Sequence, residues 1–565
     1  MIFSDNPATD SHAHFGRYVD NDSLIAKIFC HVGTLVAKWL KPYRPVGHSF
    51  AIAGLSSVWS HCSSRYSGLF NYPYRAFAAL LLLASAVTLS AGEHTPAIKP
   101  LEVGSRLELF VDDYLIGGLQ GVALKLHEPR SEGTVFKFDQ PWEGGTSGYA
   151  TVFQDGDKYR MYYRGSADPT YTIKATVGPD EKSVLGHDQF TCYAESTDGI
   201  TWTRPNVGLF EFKGSKVNNI VWVERGSHNF APFLDGNPAA PADQRYKAVG
   251  SSNYDGDKRK PILIAFVSAD GVHWRKLRDE PIITDGAFDS LNLVFWDKLR
   301  GEYVAIYRDF IHGVRSIKTA RSKDFVTWTK GEWADFGDSP AANLYTNATV
   351  AYARAPHIYV ALPRRFMPWK TYFPEMASSS PGTSDVVFMS TRDGVNWHRF
   401  DEAFLRPGRQ ERNWAHRANT PAAGLLATGP DEISFYVERD YTFPSNRLER
   451  FTVRPDGFVS VHAGYPGGEF TTKPFTFTGS SLVLNYSTSA LGSMRIEIQD
   501  AAGRPLPGFR LEESPLLFGD KLGESVDWKH PQGRTDRSPL SRLAGKAIRL
   551  RFVMCDSDLF SLQFK

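Results

Sequence analysis

Three carboxylates stand out by where they fall: Asp289 in Phe288-Asp-Ser-Leu-Asn292, Asp309 in Tyr307-Arg308-Asp309, and Glu438 in Phe435-Tyr-Val-Glu-Arg439. Asp289 precedes the apolar run Leu291–Trp296, Asp309 closes the run Tyr303–Tyr307, and Glu438 closes Ile433–Val437. Residues at strand ends are those that a β framework presents to a ligand. Acetal hydrolysis needs one protonated carboxyl to feed the leaving oxygen and one ionised carboxylate as nucleophile or base. Mutual repulsion helps to separate their pKa values. The competing reading has Asp289 capping a turn, with Asp309 and Glu438 neutralised by Arg308 and Arg439. Glu143 and Asp112, in the N-terminal connections, rank below these three as acids.

Arginines form a second pattern. Arg164, Arg308, Arg365 and Arg439 each follow a candidate strand, in Tyr-Tyr-Arg-Gly, Ile-Tyr-Arg-Asp, Pro-Arg-Arg-Phe and Val-Glu-Arg-Asp. Guanidinium forks match carboxylates and sulfates, so the set points to a uronic, sialic or sulfated sugar. Asn229, Tyr345 and His416 complete the expected substrate contacts. His228, His312, His357 and His416 are scattered without metal-ligand spacing, so neither a metal nor a cofactor is expected. Gly-x-Ser-x-Gly and phosphate-cradling glycine motifs are missing from the repeats.

The elements that must position these groups repeat. Ser196-Thr-Asp-Gly-Ile-Thr-Trp202, Ser268-Ala-Asp-Gly-Val-His-Trp274, Ser322-Lys-Asp-Phe-Val-Thr-Trp328 and Thr391-Arg-Asp-Gly-Val-Asn-Trp397 share one Asp-turn-Trp pattern, and Arg454-Pro-Asp-Gly-Phe458 is a weaker fifth copy. The Asp accepts turn N–H groups where a strand ends, and the Trp wedges between neighbouring sheets. Two apolar runs precede each copy. The inner ones are Tyr149–Phe153, Asn229–Leu234, Leu291–Trp296, Thr346–Tyr352 and Thr420–Leu426; the second ones are Tyr159–Tyr163, Tyr246–Val249, Tyr303–Tyr307, Ile358–Leu362 and Ile433–Val437. The pattern predicts an all-β chain, a five-bladed β-propeller over 105–465 followed by a C-terminal β-sandwich over 466–565, where alternation replaces the repeat. A parallel α/β barrel would need helices between strands, and no convincing 3.6-residue period supplies them.

Lys and Arg (64) nearly cancel Asp and Glu (62), with no basic run interleaved with aromatics, which argues against a nucleic-acid partner. Residues 75–92 read as a secretory signal: Arg75, an apolar stretch, then small residues. The stretch is shorter than the roughly 20 residues of a spanning helix, so a secreted or periplasmic protein without stable membrane insertion is expected. Residues 1–74 show no strand or helix period and read as a poorly structured or mis-assigned extension. Cys192 and Cys555, the cysteines beyond the signal, are too few for a disulfide framework. The sequence sets no oligomeric state.

Over roughly residues 105–565 the chain resembles the five-bladed glycoside hydrolases grouped around invertases, fructanases and arabinanases. Tyr307-Arg308-Asp309 is similar to their aromatic-Arg-Asp motif, whose aspartate stabilises the transition state, and Glu438 is the nearest match to their acid/base glutamate. The resemblance implies a glycoside hydrolase acting on an oligo- or polysaccharide. Two departures stand beside it: Gly148-Tyr-Ala-Thr-Val occupies the place of the Asn-Asp-Pro nucleophile motif without an acid, and Glu438 falls in the fifth repeat rather than the third. The Asp-turn-Trp copies also resemble the Asp boxes of sialidases, with one residue fewer before the aromatic. A sialidase-like exo-hydrolase and a non-catalytic carbohydrate-binding propeller are the alternatives.

Overall fold

Short apolar runs punctuated by Asp-turns fold here into short antiparallel strands, and helical structure among the described residues is confined to 3₁₀ turns. The structure, a computed structural model, describes residues 99–168, 187–254, 257–376, 381–528 and 539–565. The segments 1–74 and 75–92, with the signal expected there, lie outside them. No helix among the described residues is long and apolar enough to cross a membrane.

Each of the first three sheets has four antiparallel strands. The first is Gly148–Asp155, Lys158–Ala167, His187–Ser196 and Ile220–Trp222; the second Ala231–Leu234, Tyr246–Tyr254, Asp257–Ser268 and Arg275–Lys276; the third Leu293–Asp297, Glu302–Ile311, Val314–Ser322 and Glu332–Trp333. A fourth set follows the same path but splits into Asn343–Thr346, Arg364–Met367 and Thr383–Val386, then Val350–Ala351, Tyr359–Ala361, Met389–Thr391 and Trp397–Arg399. Pro363 sits at the break, where it has no N–H to give to a ladder. In the fifth sheet, Thr420–Pro421 and Leu426–Gly429 pair with Glu432–Arg439, which pairs with Arg447–Val453. Its outermost strand comes from the other side of the sequence: Arg130–Lys137 runs antiparallel to Arg447–Val453.

The Asp-turns join third to fourth strands in the first four sheets. In each, one carboxylate oxygen accepts two backbone N–H groups, as Asp198 does from Ile200 and Thr201 at 2.7 Å, and the Ser or Thr hydroxyl accepts a third. The Trp then reaches the preceding sheet. Trp274 meets Tyr162 edge-on at 6.0 Å, and Trp202 of the first sheet meets Tyr436 of the fifth at 5.7 Å. Inner strands of the first and second, second and third, and third and fourth sheets lie side by side; Thr151 bridges to Ala423 between the first and fifth.

The fifth copy behaves differently from expectation. Asp456 is buried with a left-handed φ of 63°, and accepts from Tyr352 Oη at 2.9 Å, Arg354 Nε at 2.9 Å and Ser561 Oγ at 2.8 Å. The chain leaves it for Val459–Ala463 in a ten-stranded sheet instead of returning to the fifth. That large sheet is consistent with a sandwich and is built on Leu482–Asp500 and Ile548–Phe564, with Phe470 stacked on Phe552 at 4.6 Å. Leu101–Gly104, Glu108–Leu109, Ile116–Gln120 and Val122–Leu126 join it, so it draws on chain ahead of the expected boundary at 466. The short strands between Leu101 and Leu126 carry no repeat that would mark them as part of this sheet.

Candidate functional site

One level of the second strands gathers the polar side chains. Arg164, Ser251, Arg308, Arg364 and Glu438 occupy equivalent positions, each opposite a third-strand residue (Thr191, Leu263, Ile317, Val386 and Leu448) in register. Successive strand residues face opposite ways, which separates each of these from its neighbour. Arg308 turns to a cavity of about 740 Å³ whose lining includes Arg164, His228, Asp289, Arg417 and Tyr441.

Asp289 is carried by a pinned loop. Arg308 Nε donates to Ala287 O at 2.9 Å, Ala287 N donates back to Arg308 O at 2.9 Å, and Ser290 Oγ donates to Tyr345 O at 2.6 Å. Its carboxylate lies 2.9 Å from His228 Nε2. Burial alone would raise its pKa, but the His228 hydrogen bond and the charges of His228, Arg308 and Arg417 hold it well below the usual carboxylate range. The side chain is nevertheless 58% exposed, to the cavity. His228 sits on the 3₁₀ turn Ser227–Asn229, reached through Gly226 at φ 97°, where a Cβ would come within 2.6 Å of the Phe266 ring. Burial pulls His228 below its ordinary value against the opposing pull of Asp289, and its Nε2 donates to Asp289 while Nδ1 meets Gln189 Oε1.

Behind this lining, Tyr345 is crowded by cations: the guanidinium carbons of Arg364, Arg315, Arg308 and Arg417 lie 4.1, 4.9, 5.0 and 5.4 Å from its ring centroid. Burial is the main cause that raises its phenol to about 12, so it stays neutral. Arg164 lies 4.5 Å over the Tyr149 ring and donates from Nη2 to Tyr441 Oη at 3.0 Å. Arg364 donates from Nη1 to Arg417 O at 2.9 Å, which ties the Arg417 loop to the fourth sheet.

Glu438 is 1% exposed beside this cluster, with Oε2 unpartnered. Gly148, at φ 142°, lies over it, and a Cβ there would overlap the carboxyl. Burial pushes its pKa up to about 8 against the pull of Arg164 and Arg364. It is protonated at neutral pH and cancels neither charge.

The other expected residues lie elsewhere. Asp309, one position beyond Arg308, faces away and pairs with Lys318 at 2.6 Å; the three carboxylates therefore do not share the cavity. Arg365 forks onto Asp385 at 2.9 and 2.7 Å, and Arg439 is spent on Asn419 and Glu449, both one residue out of phase with the inward positions. Asn229 is 1% exposed with both amide atoms unpartnered. His416 donates from Nδ1 to Pro381 O at 2.6 Å, and burial together with Arg417 lowers it to about 3. Glu143 is buried on Arg204 and Tyr163, and Asp112 pairs with Arg392. Sequence reasoning missed His228, Arg364, Arg417, Arg315 and Tyr441; strand phase could have found Arg364, whereas Arg417 comes from a loop with left-handed backbone, φ 60°. No group of three or more His, Cys, Asp or Glu able to hold a metal occurs among the described residues.

No protein-family model matches the sequence, and no curated protein does. Among solved structures the chain is similar to a glycoside hydrolase (15% identity, TM-score 0.39, covering 58% of this chain and 93% of that one). It is also similar to a β-1,2-mannobiose phosphorylase from Listeria innocua (12%, 0.37, 56% and 96%) and an N-acetylgalactosamine deacetylase from F. plautii (12%, 0.37, 59% and 96%). Likeness at that level leaves function to the chemistry of the site itself.

Proposed function

We propose that the chain is an exported glycoside hydrolase whose small sheets, the split fourth pair counted as one blade, form a closed five-bladed propeller. The Thr151–Ala423 bridge, the Trp202–Tyr436 contact between first and fifth sheets, and the Arg130–Lys137 strand in the fifth support closure; the signal-like segment 75–92 motivates export. The observation that carries the activity is Asp289, an ionised carboxylate held by His228 on a cavity wide enough for a sugar.

A carboxylate held so far below the usual range is a weak base, so its part is that of nucleophile or charge stabiliser at the anomeric carbon. The leaving oxygen takes its proton from one of the other two carboxyls lining the cavity, Glu224 or Asp168; water then supplies the hydroxyl of the product and returns the proton. Incubation with neutral, uronic, sialylated and sulfated oligosaccharides, read by chromatography, tests this. D289N and one of E224Q and D168N should each lower turnover at least about 10²-fold with the fold intact by circular dichroism. Near-wild-type turnover of D289N, or of both other variants, refutes the two-carboxyl assignment. A binding-only propeller is the second reading, favoured by one observation: Glu438 and Glu143, whose pKa values burial raises, are both sealed from solvent. Binding without product from any oligosaccharide would select it.

A further inference from the structure

The cavity is lined by Arg164, Arg308 and Arg417, and Arg315 and Arg364 lie behind them. Arg164, Arg308, Arg315, Arg364 and Arg417 converge on the rings of Tyr149 and Tyr345. Arg308, 4% exposed, has Nη1 without a partner, and Arg364, 0% exposed, has both Nε and Nη2 without one. Desolvated donors in fixed forks are costly unless an acceptor meets them. The crowding also shows in proton affinity: burial, then repulsion from Arg308, Arg364 and Arg417, lowers Arg315, against the Tyr345 contribution. Among the described residues few carboxylates face these arginines. Asp289 is ionised, Glu438 is not, and the rim adds Asp168 and Glu224 but also Arg225.

We propose that this wall binds an oxyanion, a carboxylate or sulfate ester borne by the substrate, against Arg308 and Arg417 beside Asp289. The inference rests on the carbohydrate reading above and names its substrate class. An anion on Arg308 and Arg417 offsets the mutual repulsion of the guanidiniums and takes charge-assisted hydrogen bonds that are stronger than those a neutral sugar hydroxyl accepts. Two charge-assisted hydrogen bonds suffice for a preference of at least about tenfold.

The test is calorimetric titration of the full chain with glucuronate, glucose 6-sulfate and glucose at low and high salt. One or both anions should bind at least about tenfold tighter than glucose, with the gap narrowing as salt rises, and the stronger of the two tells carboxylate from sulfate. R308Q should abolish the preference and R308K, a charge without the fork, should reduce it. R365A, whose guanidinium is held by Asp385 away from the wall, should keep it. Equal affinity for all three sugars overturns the anion site while leaving the carbohydrate reading standing. Should no sugar bind, inorganic sulfate decides: a rise in the thermal midpoint of the wild type but not of R308Q keeps the anion site and removes the carbohydrate reading, and no rise in either removes the site.

Discussion

Replacing Glu438 by Gln measures how burial and guanidinium charge are balanced beside Arg164 and Arg364. Burial raises the carboxyl from its ordinary 4.5 to about 8, although Arg164 and Arg364 pull the other way. Between those two pH values the folded chain keeps a proton that the unfolded chain releases, so stability falls as pH rises through the window. The contribution of the bound proton is whole below pH 4.5 and gone once the pH passes about 8. At about 1.4 kcal/mol per unit, the loss from this one group is roughly 5 kcal/mol. E438Q keeps the shape of the neutral carboxyl and does not titrate. Urea unfolding of both proteins from pH 5 to 9 should therefore show the stability of E438Q gaining on wild type by up to about 1.4 kcal/mol per pH unit, then levelling above pH 8. Other groups titrate alike in both chains and cancel in the difference. A difference that is flat from pH 5 to 8 refutes the reasoning and would mean that the arginines win and Glu438 is ionised in the folded chain as in the unfolded one.

Two further substitutions probe how the sheets are joined. Phe136, on the strand that the N-terminal part of the chain lends to the fifth sheet, is 3% exposed, meets Tyr163 edge-on at 5.2 Å and lies 3.8 Å beneath the Arg204 guanidinium. F136A should cost about 3–5 kcal/mol in denaturant unfolding, and a cost below about 1 kcal/mol would mean that the strand is dispensable. D456A strands Arg354 and removes acceptors from Tyr352 and Ser561, so it should cost about 3–5 kcal/mol. D456N keeps an acceptor and tolerates the left-handed backbone, and should cost clearly less in the same assay; equal losses would contradict the proposed role of the clamp.

The small sheets were legible because their information is local. Each inner and second strand is an apolar run of a few residues, and each Asp-turn carries its own acceptor for the turn amides, so pattern and physics coincide within about a dozen residues. What could not be read depends on pairing across the sequence. Arg130–Lys137 has no mark that sends it to Arg447–Val453, and the strands from Leu101 to Leu126 have none that sends them to the large sheet. The fifth Asp-turn shows the same limit. Arg454-Pro-Asp-Gly-Phe has the local form of the others, yet its carboxylate is taken by Tyr352, Arg354 and Ser561, all distant in sequence, and the chain beyond it changes sheet.

The site was half legible, and strand phase explains which half. The dipeptides Arg308-Asp309, Arg364-Arg365 and Glu438-Arg439 each put one side chain toward the arginine and tyrosine cluster and one away, because a strand alternates faces. Choosing Arg308 in the third sheet fixes the choice in the others through the ladder: the residue opposite the equivalent third-strand position is Arg364 in the fourth and Glu438 in the fifth. It follows that Asp309, Arg365 and Arg439 share the other face, where Lys318, Asp385 and Glu449 neutralise them. The equivalent second-strand positions thus hold three arginines, a serine and a glutamic acid whose pKa burial raises, rather than alternating charges that cancel. A cluster assembled this way repels itself, and the Asp289 carboxylate relieves only part of that repulsion. Asp289, on a loop pinned to Arg308 and open to the cavity, is the charge beside which the proposed anion would sit and the group that the proposed glycosidase chemistry would use.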